Sequence, residues 1–193
     1  PEDIFKRLSK KPVFKKSMID LPSAYSIDVS KRYLESRAIF DGKFYYAENF
    51  QEFANTLRPN SFEDTRFGEP RIVIPLVRDE QLIGVQGRAL STNPIKYLTI
   101  MIDDDAPKIY GLDTINSDST VYITEGPFDS TFLHNAIAMC GADLVQRDWG
   151  ISDCCWVFDN EPRSREITRR ISEVIDRGEK VVIWPSNILW IFS

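Results

Sequence analysis

Thr120-Val121-Tyr122-Ile123-Thr124 runs directly into Glu125-Gly126-Pro127-Phe128-Asp129, and Cys154-Cys155-Trp156-Val157-Phe158 runs directly into Asp159-Asn160-Glu161. Both apolar runs are rich in β-branched, aromatic or thiol side chains, as strands buried in a parallel sheet are. Glu125 and Asp159 stand 34 positions apart, room for one or two right-handed crossovers, so both acidic segments are expected at the C-terminal edge of one sheet. Ligands of open α/β sheets bind at that edge. Carboxylates gathered there point to a metal-dependent phosphoryl-transfer site.

Outward from these strands the pattern continues as alternating α/β. Ala136–Cys140 reads as a short strand after a helix at 129–135, a weak helix is expected near 143–149, and Lys180–Trp184 reads as a final strand. Between the last two strands, Ile167, Ile171, Val174 and Ile175 form one apolar stripe on a helix over 164–177, with Glu166/Arg170 and Glu173/Arg177 as i,i+4 pairs on the wet side and Gly178 as the stop. Upstream, Arg71–Val77 and Leu82–Arg88 flank Arg78-Asp79-Glu80-Gln81 and predict a hairpin with a four-residue loop, Pro75 sitting at an edge or bulge. Further back, Asp28 or Ser30 is placed to cap a helix through Lys31–Glu35, Phe44–Tyr46 reads as a strand, and Phe50–Leu57 as a helix. Three regions follow: a mixed, mostly helical 1–66, an antiparallel 67–118, and an α/β unit over 119–193.

Composition bounds the function. A chain of 193 residues with 42% hydrophobic content buries a real core. Three cysteines and one histidine do not make a four-ligand zinc site, because Cys154 and Cys155 are adjacent on a strand and point to opposite faces. An odd cysteine count without a signal peptide indicates the reducing cytosol, and no apolar stretch reaches the roughly 20 residues that span a bilayer. Net charge is −5, which a carboxylate cluster contributes to, while residues 1–20 concentrate Lys6, Arg7, Lys10, Lys11, Lys15 and Lys16 as either a nucleic-acid arm or a solvated linker. The chain opens on Pro1, as a piece excised from a longer protein would.

The order of a strand ending in Glu-Gly-x-x-Asp, a strand ending in an acid-x-acid pair and an amphipathic helix resembles the Toprim domain of bacterial-type primases, topoisomerases and some nucleases. Ile74-Pro75-Leu76, Gly84-Val85-Gln86-Gly87-Arg88, Lys96-Tyr97-Leu98 and Lys108-Ile109-Tyr110-Gly111-Leu112 resemble, in order, the RNA-polymerase domain of bacterial and phage DNA primases, and Tyr33-Leu34-Glu35-Ser36-Arg37-Ala38-Ile39 resembles a segment near its start. The resemblance implies a Toprim-like parallel sheet flanked by helices, preceded by a smaller mixed helical and antiparallel-β subdomain. It implies Glu125 as the catalytic carboxylate and Asp129 as a second functional acid. Glu125, Asp159 and Glu161 become ligands of Mg²⁺ or Mn²⁺, and Arg88, Lys96 and Lys108 a basic groove for nucleic acid and nucleotide. The implied partners are a single-stranded DNA template, ribonucleoside triphosphates and a replicative helicase, in the cytoplasm of a bacterial or phage-infected cell.

Plainer roles stand beside these. Asp159-Asn160-Glu161 is also suited to turning the chain and capping the next helix, Asp129 to capping a helix at 129–135, and the basic residues to ordinary strand-end solvation. His134, Trp156 and Phe158 are expected to be structural. The family's Asp-x-Asp is Asp159-x-Glu161 here, its further acidic motif has no counterpart after Trp184, and no zinc-ribbon module is present, so a truncated or altered C-terminus is expected. A Toprim nuclease or topoisomerase fragment, and a degenerate module binding DNA or a partner, are the alternative functions.

Overall fold

The computed structural model describes residues 19–141, 150–161 and 163–185. A strongly apolar hairpin organises the first half. Strands β2 (Arg71–Arg78) and β3 (Gln81–Ala89) pair antiparallel from Arg71 opposite Ala89 to Leu76 opposite Gly84, then shift by one residue between Leu76 and Val77. The expected four-residue loop is replaced by a two-residue turn, because Arg78 pairs with Gln81. Asp79 and Glu80 both take positive φ (52° and 61°), the geometry that matches strand twist in the tightest hairpins. Neither is the glycine or asparagine usual there. Asp113 compensates: its two carboxylate oxygens accept the Asp79 and Glu80 N–H groups, each at 2.8 Å.

Strand β1 (Tyr45–Ala47) adds on the outer side of β2, and β4 (Tyr97–Met101) on the outer side of β3, giving the order β1-β2-β3-β4. Strand β1 reaches only Arg71–Val73, so Pro75 lies beyond it and next to the register shift, where a missing N–H costs no ladder bond. Helix α1 (Asp28–Ser36) starts after Ile27 without a side-chain cap. Neither Asp28 nor Ser30 caps it. The Ser30 hydroxyl is buried and donates to the Ala24 carbonyl at 2.6 Å, tying the helix to the preceding turn. Helix α2 (Phe50–Leu57) is capped by Asn49, whose side chain accepts the Glu52 N–H, and buries Phe50, Ala54 and Leu57 against Val73, Leu82 and Val85.

The second sheet holds β5 (Ile109–Tyr110), β6 (Val121–Thr124), β7 (Ala136–Met139), β8 (Cys154–Val157) and β9 (Lys180–Val181) in the order β5-β7-β6-β8-β9. Strand β5 is antiparallel to β7 and every other pairing is parallel, so the molecule is of the expected mixed α/β class. The helix expected at 129–135 contracts to α3 (Pro127–Ser130). Proline at its first position fixes the start early. Asn135, at φ 57°, then turns the chain into β7, accepting the Asn116 N–H and donating to the Thr120 carbonyl.

Helix α4 (Arg165–Asp176) begins at Ser164, whose hydroxyl accepts the Ile167 N–H, and buries Ile167 and Val174. Ile175, expected on the apolar stripe, is 54% exposed. Glu166 pairs with Arg170, but Glu173 pairs with Arg169 instead of Arg177, which reaches Glu179. The final strand is shorter than the expected 180–184. Trp156 and Phe158 are core, stacked with centroids 5.8 Å apart, and His134 is exposed. The helix expected near 143–149 lies outside the described residues.

Phe128 of α3 joins the two halves. It is buried with Leu34, Phe44, Ile72 and Ile74 of the first half and meets the Phe44 ring edge-on at 5.3 Å. Gly87 sets another close approach, since a Cβ there would stand 2.5 Å from the buried Phe50 ring. Gly87→Ala is therefore expected to destabilise the fold by about 1–3 kcal/mol through overpacking. Urea denaturation reads this as a lower midpoint with an unchanged slope; an unshifted midpoint would show that the α2–β3 contact is loose.

Candidate active site

Parallel pairing sets Thr124 opposite Val157, so the chain leaves β6 at Glu125 and β8 at Phe158-Asp159 on the same edge of the sheet. Thr124 is buried, and its hydroxyl bonds the Gly126 and Ile137 carbonyls, shaping the exit from β6. Glu125 then reaches across to β8: its Oε2 accepts the Asp159 N–H at 3.1 Å, and its Oε1 accepts Arg170 Nη1 at 2.6 Å. Gly126 begins α3. A Cβ at that position would lie 2.6 Å from Asp129 Oδ2, so a larger residue there would push the Asp129 carboxylate from its place over the turn.

The acids share one cleft of about 530 Å³ with three cations. Glu125, Asp129, Asp159, Asn160 and Glu161 form one side; Arg37, Arg88, Lys96 and Tyr97 form the other, with Phe128 between them. Gly126 stands at the N-cap of α3 and brings no side chain, while Asp129, the third residue of that helix, turns its carboxylate back to the Gly126 amide; Asp129 therefore caps α3 from inside and is not the N-cap of a helix over 129–135. Capping by Asp159 or Glu161 is replaced, because Ser164 caps α4. The Asp159 carbonyl accepts the Glu161 N–H at 2.8 Å, which folds the acid pair into a tight turn.

Crowding raises the proton affinity of these groups. Burial pushes the Glu125 carboxyl above its ordinary value, the Asp159 amide and Arg170 pull it back, and the Asp159 charge adds to the rise. Asp129 is raised by burial and by Glu125, against the opposing pull of the Gly126 amide and Arg37. Asp159 is raised by burial, then by the charges of Asp129 and Glu161.

On the basic side, Arg88 is only 9% exposed, and its guanidinium lies over the Tyr97 ring at 4.6 Å and the Tyr33 ring at 5.6 Å. Arg37 stacks on Tyr33 as well, at 5.1 Å. Two aromatic faces thus hold two cations facing the acids. Lys96 ends the β3–β4 loop, which fully buried Arg71 pins through the Ile95 carbonyl at 2.9 Å while Glu69 bonds Asn93. Lys108 does not join the wall. It precedes β5, and β7 separates β5 from the acid-bearing strand β6. Arg37 and Arg170 are site residues that carried no predicted role. Arg37 lies within the Tyr33–Ile39 segment, whereas Arg170 is legible in the sequence only as the partner of Glu166.

The donor set suits one mode of cation binding. Among the described residues no three His, Cys, Asp or Glu side chains form a ready cage. Mg²⁺ does not require one: it keeps several waters and takes one or two carboxylates plus substrate phosphates. Asp159 and Glu161, two positions apart in a tight turn, fit that requirement.

No protein-family model matches the chain. It aligns with the DNA primase of Enterobacteria phage T4 at 35% identity over 194 residues, covering 94% of this chain and 56% of that protein. The chain is a homologue of a phage DNA primase. It spans a little over half of that relative's length. The E. coli primase catalytic core superposes with a TM-score of 0.59 at 17% identity, over 86% of this chain and 69% of that one. A DnaG primase catalytic domain bound to single-stranded DNA superposes with a TM-score of 0.55 at 16% identity, over 87% and 68%. The fold is thus that of bacterial-type primase catalytic cores.

The raised acids give a pH-dependent expectation for this primase homologue. An acid whose folded-state pKa lies above its unfolded value is costly to ionise in the folded protein; the penalty is absent below the unfolded value, grows as pH rises from the unfolded to the folded value, and is complete above the folded one. Asp159→Asn removes that penalty and keeps the backbone N–H that Glu125 accepts. The metal-free variant is expected to melt higher than wild type at pH 7, with the difference shrinking toward about pH 4. Melting curves across that range check it, and a variant less stable at pH 7 would count against the crowded-acid account.

Proposed function

We propose that this chain is the catalytic core of a DNA primase, joining ribonucleoside triphosphates into a short RNA primer on a single-stranded DNA template by metal-dependent nucleotidyl transfer. The observation that carries the reading is a single cleft with carboxylates on one side and aromatic-held cations on the other, in a homologue of a phage primase. The sheet edge bearing Glu125 and Asp159 corresponds, on this reading, to a Toprim domain. The template class follows the single-stranded DNA bound by a structural relative. A replicative helicase and the cytoplasm of a bacterial or infected cell complete the proposed setting; no helix among the described residues is long and apolar enough to cross a membrane.

Asp159 and Glu161 would hold the Mg²⁺ or Mn²⁺ ion, with Glu125 beside them. When bound, such an ion neutralises phosphate charge and aligns the attacking and leaving oxygens. Glu125, held at both oxygens and raised by burial, is positioned to take the proton from the attacking hydroxyl. Asp129 adds negative charge at the cleft floor, which keeps nucleic-acid phosphates off the acids and on the opposite wall. Arg88, fixed between two rings, presents a planar fork suited to phosphate oxygens, and Lys96 acts as a point charge.

Two measurements test this reading. Mn²⁺ at about 100 times its Kd is expected to stabilise wild type by about 2.7 kcal/mol in thermal melts. Asp159→Asn and Glu161→Gln should lose most of that gain, and the same changes in the full-length protein should abolish primer synthesis. For template, log Kd against log salt should lose about 0.7 of slope for each phosphate contact removed by Arg88→Ala or Lys96→Ala. Intact Mn²⁺ stabilisation in both acid variants, or an unchanged slope and affinity in both basic variants, would falsify the assignment of that side of the cleft.

A further inference from the structure

Glu125 is engaged at both carboxylate oxygens by protein groups. The Asp159 N–H holds Oε2 at 3.1 Å, and Arg170 Nη1 holds Oε1 at 2.6 Å. The same guanidinium donates from Nη2 to Glu166 Oε1 at 2.7 Å, so Arg170 is forked between an acid of the cleft and an acid of its own helix. Arg170 is not part of the cleft lining. It approaches Glu125 from α4, whose Ile167 and Val174 are buried in the core of the second sheet, so the reach from helix to acid is set by packing.

We propose that Arg170 is a positioning residue and the resident cation of Glu125, fixing the direction of that carboxylate and excluding a second divalent ion from it, so that the cleft takes one ion on its Asp159 and Glu161 side. This rests on the metal-dependent reading of the cleft. A guanidinium has donors and no acceptor, stays charged at any working pH, and cannot ligate a metal. Its positive charge repels a cation approaching Glu125, and its hydrogen bond takes one of the oxygens that bidentate coordination would need. Glu125 keeps unused lone pairs for a proton or a single contact, but it is not free to chelate. Glu166 steadies the far side of the fork, so the arginine does not have to choose between Glu125 and water.

The test counts Mn²⁺ bound to the 193-residue chain by electron paramagnetic resonance, with the metal alone as probe. Wild type is expected to bind one tight ion. Arg170→Gln removes the charge while leaving a donor for Glu125, and is expected to bind a second ion or to hold the first roughly tenfold tighter. Arg170→Lys retains the charge and should stay within about twofold of wild type. Should the glutamine variant fail to fold, Arg170→Met keeps the apolar stem and carries the same expectation. Wild-type stoichiometry and affinity in a folded charge-removing variant would overturn the proposal, as would a variant that lost stability alone. Asp159→Asn separates the two levels of inference. If it loses Mn²⁺ while Arg170→Gln is unchanged, the Arg170 role fails and the cleft reading stands; if it binds Mn²⁺ as wild type does, both fail.

Discussion

The parallel pairing of β6 with β8 is the constraint on which the rest of the site depends. Its register sets Thr124 level with Val157, which brings the Glu125 carboxylate within hydrogen-bonding distance of the Asp159 amide. A slip of one residue would turn alternate side chains of a strand to the opposite face and break that contact. Register is held in turn by burial, since Val121, Ile123 and Trp156 are almost inaccessible to solvent in one cluster. Apolar packing at the centre of the sheet therefore determines the placement of charge at its edge.

A second constraint sits inside the acidic segment itself. Phe128 lies between Glu125 and Asp129 in the chain, yet it packs into the core of the other half, against Phe44 and Tyr33. Three residues thus carry two acids and the anchor that sets them opposite the basic wall. The arrangement is costly for the acids, whose ionised forms are disfavoured by burial and by one another. Arg88 has the matching problem, a nearly buried cation, and the Tyr33 and Tyr97 rings stabilise it without neutralising it. Among the described residues no salt bridge joins the two sides of the cleft. That leaves both signs of charge open to a ligand carrying phosphates and cations together.

Local pattern was sufficient wherever one face of an element met a core. Phe50–Leu57 reads as a helix from the spacing of Phe50, Ala54 and Leu57, and β6 and β8 read as strands from continuous apolar runs, because burial imposes a period the sequence displays. The hairpin strands were legible for the same reason, but their turn was not. Positive φ at Asp79 and Glu80 depends on a carboxylate from Asp113, more than 30 residues away in the chain, and no local rule reports such an acceptor. The helix expected at 129–135 differs at both ends for different reasons: Pro127 is a local start signal, whereas the turn at Asn135 that ends the segment is set by where β7 must join β6.

By itself the sequence determined which residue types could do chemistry here: acids at the ends of two buried strands, and basic residues within recognisable segments upstream. Tertiary structure decided which of them meet. It brought Arg88 and Lys96 to the cleft and left Lys108 beside β5 on the far side of β7. It added Arg37, through a tyrosine face, and Arg170, through a helix packed on the sheet. The physical reason is range. Hydrophobic periodicity is a property of neighbours along the chain, whereas a charge acts on whatever folding places within a few ångströms of it, and that distance is fixed by strand order and by the core.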